Sequence, residues 1–275
     1  LWTPFIDLYV NNLPAARQLA KDFECTGAAF EETMSVTGTG DKRGNVYTML
    51  YHTTGTEIAH QLYQYYLYTG DESYLKEKVY PVMKEAITYH LNFVSKRDDG
   101  KYHVYPSDAR ETYWWTQDSI TDLSALRATM PLLIQISEKL GLDEKERAQW
   151  KAVLQDLAPF VRDAADGTFV PGTFFEAGKF PAHRFAKADA LYKPEQRTTL
   201  PALKNFNAEN VEMEPVYPWG LIDLDSPSAE LEAMRRTYMK RRFTGWGGGW
   251  EWGAVTGARL ASPDEVVRLL RCYTD

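Results

Sequence analysis

The stretch "LYQYYLYTGDESYLKEKVYPVMKEAITYHLNFV", residues 62–94, decides the fold. Its apolar residues return every three or four positions: Ile58, Leu62, Tyr65 and Tyr66 up to the break, then Leu75, Val79, Val82, Ala86, Leu91 and Val94. That is the spacing of one helix face, not of a strand. At the break, Thr69-Gly70-Asp71, Gly70 suits the left-handed position that closes a helix, and Asp71 can cap the next one. Pro81 falls inside the second pattern and is expected to kink or break it near Tyr80, because it lacks an N–H and crowds the preceding turn. The stretch reads as a helical hairpin.

Working outward, the same unit recurs. Residues 120–140 carry Leu123, Leu126, Met130, Leu133 and Ile134 on one face and end at Gly141. Asp143 opens the next helix, with Glu146 at capping-box spacing, and the pattern continues through Trp150, Val153, Leu154, Leu157 and Val161. Residues 1–23 read as one helix already in progress, with Phe5, Tyr9, Leu13, Ala16, Ala20 and Phe23 in register. Further helices are expected over 229–242 and 250–260, and a last one from Ser262-Pro263. Helical hairpins without a fixed sequence repeat point to an all-α fold of concentric helices, an (α/α) toroid, with residues 1–275 forming a single catalytic domain. The abrupt opening at Leu1 suggests a fragment of a longer chain. The connections at 27–55, 98–118 and 166–227 are far longer than ordinary loops, which is where chemistry is expected.

A net charge of −7 counts against a nucleic-acid or anionic-membrane partner, and no apolar run of bilayer length occurs. Cys25 and Cys272, far apart, form neither a redox nor a metal motif; they could be isolated thiols or a disulfide. The five histidines show no metal-ligand spacing, and phosphate-loop and nucleophile-elbow motifs are missing, so no cofactor and no metal are expected. Aromatic residues make up 13% of the chain, and aromatic faces can stack on sugar rings as readily as fill a core.

Carboxylates gather in two of the long connections. Residues 105–118, "YPSDARETYWWTQD", hold Asp108, Arg110, Glu111, Trp114, Trp115 and Asp118. Residues 205–220, "NFNAENVEMEPVYPWG", interleave Glu209, Asn210, Glu212 and Glu214 with Tyr217 and Trp219. Glycoside hydrolysis requires one carboxylic acid to protonate the leaving oxygen and a second carboxylate to activate water or attack. A glutamate among aromatic rings can be held protonated by desolvation, which suits Glu111 to the acid role. Either cluster could equally be a set of solvated loop charges. A third segment, residues 244–253, sets Trp246, Trp250 and Trp252 among glycines, where indole faces could form a sugar platform or pack a helix entry. His52, ahead of a helix start, could touch ligand or be structural.

From residues 62–94, "SITDLSALRA" at 119–128, "GWEWGAVTGARLASPDEVVRLL" at 249–270 and the Pro-Ser loop that ends at Glu111, the chain resembles glycoside hydrolase family 95 over about residues 49–270. Members are inverting alpha-L-fucosidases and alpha-L-galactosidases built on an (α/α)6 toroid. The resemblance implies a secreted or periplasmic glycosidase acting on a terminal sugar, with Glu111 as general acid. The family's short Ser-Pro-Glu is lengthened here to Ser107-Asp108-Ala109-Arg110-Glu111, its water-positioning asparagine pair has no match, and its histidine-rich segment is replaced by residues 209–218. These departures point to a neighbouring family with a different base: Glu212, with Glu209 and Glu214 as alternatives. Arg110, His52, Trp114, Trp115, Asn210, Trp219 and Trp250 are the expected substrate contacts. A polysaccharide lyase or sugar epimerase on the same fold, and a non-catalytic carbohydrate-binding relative, are the rival readings.

Overall fold

A computed structural model describes residues 2–40, 50–111, 113–176, 179–185, 210–240 and 252–274. It opens with two helices, α1 (Trp2–Asn11) and α2 (Leu13–Asp22), rather than the one expected over 1–23. Pro14 explains the break: it occupies the first turn of α2, where its missing N–H costs nothing, and the Asn12 amide turns back to bond the Leu8 carbonyl. Helix α3 (Thr54–Thr69) ends on Gly70 at φ 65°, and Asp71 caps the helix that follows by accepting from the Ser73 and Tyr74 amides at 2.9 and 3.0 Å. Both expectations from the hairpin hold.

Helix α4 comprises Glu72–Tyr74, one π-helical turn over Leu75–Val79, and Tyr80–Leu91. The wide turn lies immediately before Pro81 and lets the chain pass the proline without ending the helix. Helix α5 (Ile120–Leu140) is capped by Ser119, whose hydroxyl accepts from the Asp122 amide, and stops at Gly141 with φ 67°. Asp143 does precede α6 (Glu144–Gln155), but its side chain does not cap. It is drawn instead to the Tyr80 hydroxyl at 2.6 Å and the Lys84 ammonium at 2.7 Å, which offer a charge-assisted pair in place of backbone amides. The C-terminal part holds α7 (Ser228–Lys240), α8 (Gly253–Arg259) and α9 (Pro263–Thr274).

Helix α3 packs on α4 and α5, α4 on α5, α5 on α6, and α8 on α9. The interior of α5 presents Leu123, Leu126, Met130 and Leu133, all fully buried. Each such side chain contributes about 1.5–3 kcal/mol of apolar burial. Gly27, at φ 82°, presses against the α4 backbone, and a Cβ there would overlap Glu85 and Tyr89. Cys25 is buried and Cys272 exposed, and no disulfide joins them. No helix among the described residues is long and apolar enough to cross a membrane.

The connection at 98–118 is not irregular. Two antiparallel hairpins build it, the first starting before it where Val94 was expected to be helical: β1 (Val94–Lys96) with β2 (Tyr102–Val104), and β3 (Ser107–Ala109) with β4 (Tyr113–Thr116). The second hairpin is bulged, pairing Ser107 with Thr116 and Ala109 with Tyr113. Its turn carries Arg110 and Glu111.

Candidate active site

Two acids of the first cluster are occupied in building that hairpin. Asp108 is buried and accepts the Trp115 amide at 2.9 Å and the Leu50 amide at 3.3 Å, while Asp118 accepts the Val104 amide and holds His103 at 2.6 Å. Desolvation acts to lower the His103 pKa, but the hydrogen bonds and charges of Asp118 and Asp99 outweigh it and raise it. Below the hairpin lies Asp122, fully buried, with Oδ1 2.9 Å from His90 Nε2 and Oδ2 accepting from Ser119 and Ser107. This network pins β3 to the start of α5.

At the tip, Arg110 adopts a left-handed φ of 57° and turns its guanidinium into the protein. Nε meets Glu214 Oε1 at 2.6 Å, Nη2 meets Glu57 Oε1 at 2.9 Å, and the group lies over the Tyr51 and Trp252 rings at 4.9 and 5.5 Å. Glu57 Oε1 also accepts the Tyr51 hydroxyl at 2.8 Å and the Thr53 hydroxyl at 2.9 Å. Glu214, 1% exposed, takes the Trp219 indole N–H on Oε2 at 3.1 Å. The 105–118 and 205–220 connections therefore meet at a buried ion pair.

Beside this pair is a small cleft lined by Arg110, Asn210, Met213, Glu214, Trp252 and Thr256, with Val211 and Gly253 completing it. Asn210 precedes a 3₁₀ turn (Val211–Met213), and its side-chain oxygen is buried with no hydrogen-bond partner among the described residues. Glu212 sits between two lining residues, 2% exposed. Glu111 is half-buried, and its carbonyl accepts the Trp114 indole N–H at 2.7 Å. His60, on α3, lies edge-on to Trp219, and burial holds its pKa below the ordinary value.

The expected substrate contacts separate into groups. Arg110 and Asn210 line the cavity, and Trp114 is half-buried beside Glu111. Trp219 is buried and anchors Glu214. Trp115 is corrected to a core residue: it is 1% exposed, packs edge-on against Phe180 and His183, and bonds the Tyr105 hydroxyl, leaving no face for a sugar. His52 is likewise buried, stacked on Phe93 at 3.6 Å with its Nε2 at the Pro106 carbonyl, which makes it a structural histidine. Trp250, Glu209 and Trp246 lie outside the described residues; from the segment 244–253, Trp252 reaches the cavity, 40% exposed. Sequence reasoning missed Glu57 and Tyr51, whose only signal was their place at the head of a helix two segments away.

The family model described as "Glycosyl hydrolase family 95 catalytic domain" matches residues 1–168. The chain is similar to a kojibiose hydrolase of Flavobacterium johnsoniae, 34% identical over 101 residues, which cover 36% of this chain and 15% of that protein. It is similar to alpha-L-fucosidase 2 of Arabidopsis thaliana, 20% identical over 241 residues, 84% of this chain and 26% of that one. A solved structure, "Putative kojibiose phosphorylase from human microbiome", shares the fold with a TM-score of 0.59 at 13% identity, over 95% of this chain and 40% of its own. The chain spans well under half the length of each.

Proposed function

The chain belongs to glycosyl hydrolase family 95, and from that premise we propose that the protein hydrolyses the glycosidic bond of a terminal sugar in an oligo- or polysaccharide, with Glu111 as general acid and Glu212 as general base. The observation that carries this reading is the Arg110–Glu214 ion pair, which draws two carboxylate-bearing connections together beside one cavity. Glu111 lies inside the residues that the family model matches and Glu212 beyond them. Of the three acids weighed for base, Glu214 is committed to Arg110 and Trp219, which favours Glu212.

Glu111 protonates the departing oxygen while Glu212 takes a proton from the attacking water, giving inversion. Glu57, Glu111, Glu212 and Glu214 belong to the segments that meet at Arg110, and of these Glu214 lines the cavity together with Arg110. Acid-rich connections favour an oxocarbenium-like transition state and oppose binding of a uronate, which weighs against the lyase reading. Asn210 offers a sugar hydroxyl an amide oxygen that has no partner among the described residues, and Trp252 and Trp114 offer indole surface. Closure of the helices into a six-hairpin toroid, and secretion or periplasmic residence, belong to the same proposal.

The test is hydrolysis by the full-length protein of a glycoside panel that includes alpha-L-fucosides and kojibiose, the sugars named in its relatives. Release of a reducing sugar that Glu111→Gln and Glu212→Gln each abolish supports the assignment. Ultraviolet absorbance from an unsaturated product, or turnover indifferent to both substitutions, overturns it.

A further inference from the structure

We infer that Arg110 is a positioning residue: its guanidinium fixes the turn that bears the acid against the turn that bears the base, and does not hold the sugar. The inference rests on the acid and base roles proposed above. Arg110 is bonded through the chain to Glu111, and Glu214 lies two residues from Glu212, so the 2.6 Å ion pair ties the two turns almost directly. The other fork of the guanidinium reaches Glu57 on α3, so three separate segments converge on one planar cation.

Each carboxylate is itself held by neutral donors. Glu57 receives the Tyr51 and Thr53 hydroxyls and Glu214 the Trp219 indole, so neither end of the clamp can follow Arg110 if it shifts. Arg110 itself sits in the left-handed region, in the turn of the bulged hairpin. Nε donates to Glu214, Nη2 stands 2.9 Å from Glu57 Oε1, and the Tyr51 and Trp252 rings lie beside the group, which is buried. What it controls is separation, and the distance between two catalytic carboxyl groups decides which water geometry they serve.

Lysine keeps the charge but is a point donor, unable to bridge two carboxylates in one plane. In the full-length enzyme, with the best substrate of the panel, Arg110→Lys is expected to lower kcat about 10- to 100-fold, as a misplacement of about 1 Å does, with KM changed less than about threefold. Glu214→Gln is expected to act alike, and the double variant to be no worse than the poorer single, because both remove one contact. A rise in KM with kcat intact would make Arg110 a sugar contact and overturn the inference. A lowered thermal midpoint with unchanged kcat and KM would overturn it too, leaving a purely structural ion pair. Glu111→Gln measured alongside separates the two levels: if it is inactive while Arg110→Lys is normal, only the clamp fails; if it is active, the acid assignment fails.

Discussion

Replacing Asp122 with Asn keeps the volume of the side chain and removes its charge. Asp122 is fully buried, with His90 Nε2 at 2.9 Å, the Ser119 hydroxyl at 2.7 Å and the Ser107 hydroxyl on the same oxygen as Ser119. Burial acts to raise its pKa, but the charges of His90 and His52 and the hydrogen bonds from His90 and Ser107 outweigh it, and the group sits below the ordinary carboxylate range. Breaking a buried pair by removing one partner costs about 3–5 kcal/mol. At about 2–4 °C per kcal/mol for a domain of roughly this size, Asp122→Asn should melt about 6–20 °C below the parent at pH 7. The sign of the pH dependence follows from a depressed folded pKa. The contribution is present above the unfolded value near pH ~4 and is lost as pH falls through the folded one. Differential scanning calorimetry from neutral to acid pH reads both. A gap under about 2 °C at neutral pH, or one that widens on acidification, would show that Asp122 is not held as an ionised, partnered carboxylate.

Ser124→Ala should stabilise the protein by up to about 1 kcal/mol in urea titration, since the Ser124 hydroxyl is buried on α5 without a partner among the described residues and alanine is the better helix former. His103 has a raised folded pKa, so its contribution is present below its unfolded pKa and fades as pH rises through the folded one. His103→Gln should therefore lower the melting temperature at about pH 5.5 and much less at about pH 9. Gly27→Ala should cost more than about 2 kcal/mol by chemical denaturation, because the positive φ disfavours a side chain and the added methyl meets the α4 backbone.

The helical plan was legible because amphipathic spacing and turn residues agree. Gly70, Asp71, Gly141 and Ser262-Pro263 mark ends that the folded chain uses as local chemistry dictates. Local rules fell short where a distant partner competed. Asp143 has the spacing of a cap, yet Tyr80 and Lys84 from another helix claim its carboxylate. The candidate site was legible as two clusters of acids and indoles, and they do meet. What spacing cannot convey is which aromatic faces outward: Trp114 and Trp115 are adjacent in the strand β4, where side chains alternate, and only Trp114 keeps partial exposure. Glu57 was invisible for the same reason, since its part depends on where α3 lies against the β3–β4 hairpin.

The role of Glu111 is tested most directly by varying the leaving group. The Glu111→Gln enzyme is compared with the parent on a sugar–sugar substrate, whose oxygen must be protonated, and on a dinitrophenyl glycoside of the same sugar, whose phenolate departs unaided. A general acid at Glu111 predicts a kcat loss of about 10²–10⁴-fold on the first and under about 10-fold on the second. Equal losses on both substrates, or none on the first, would contradict it.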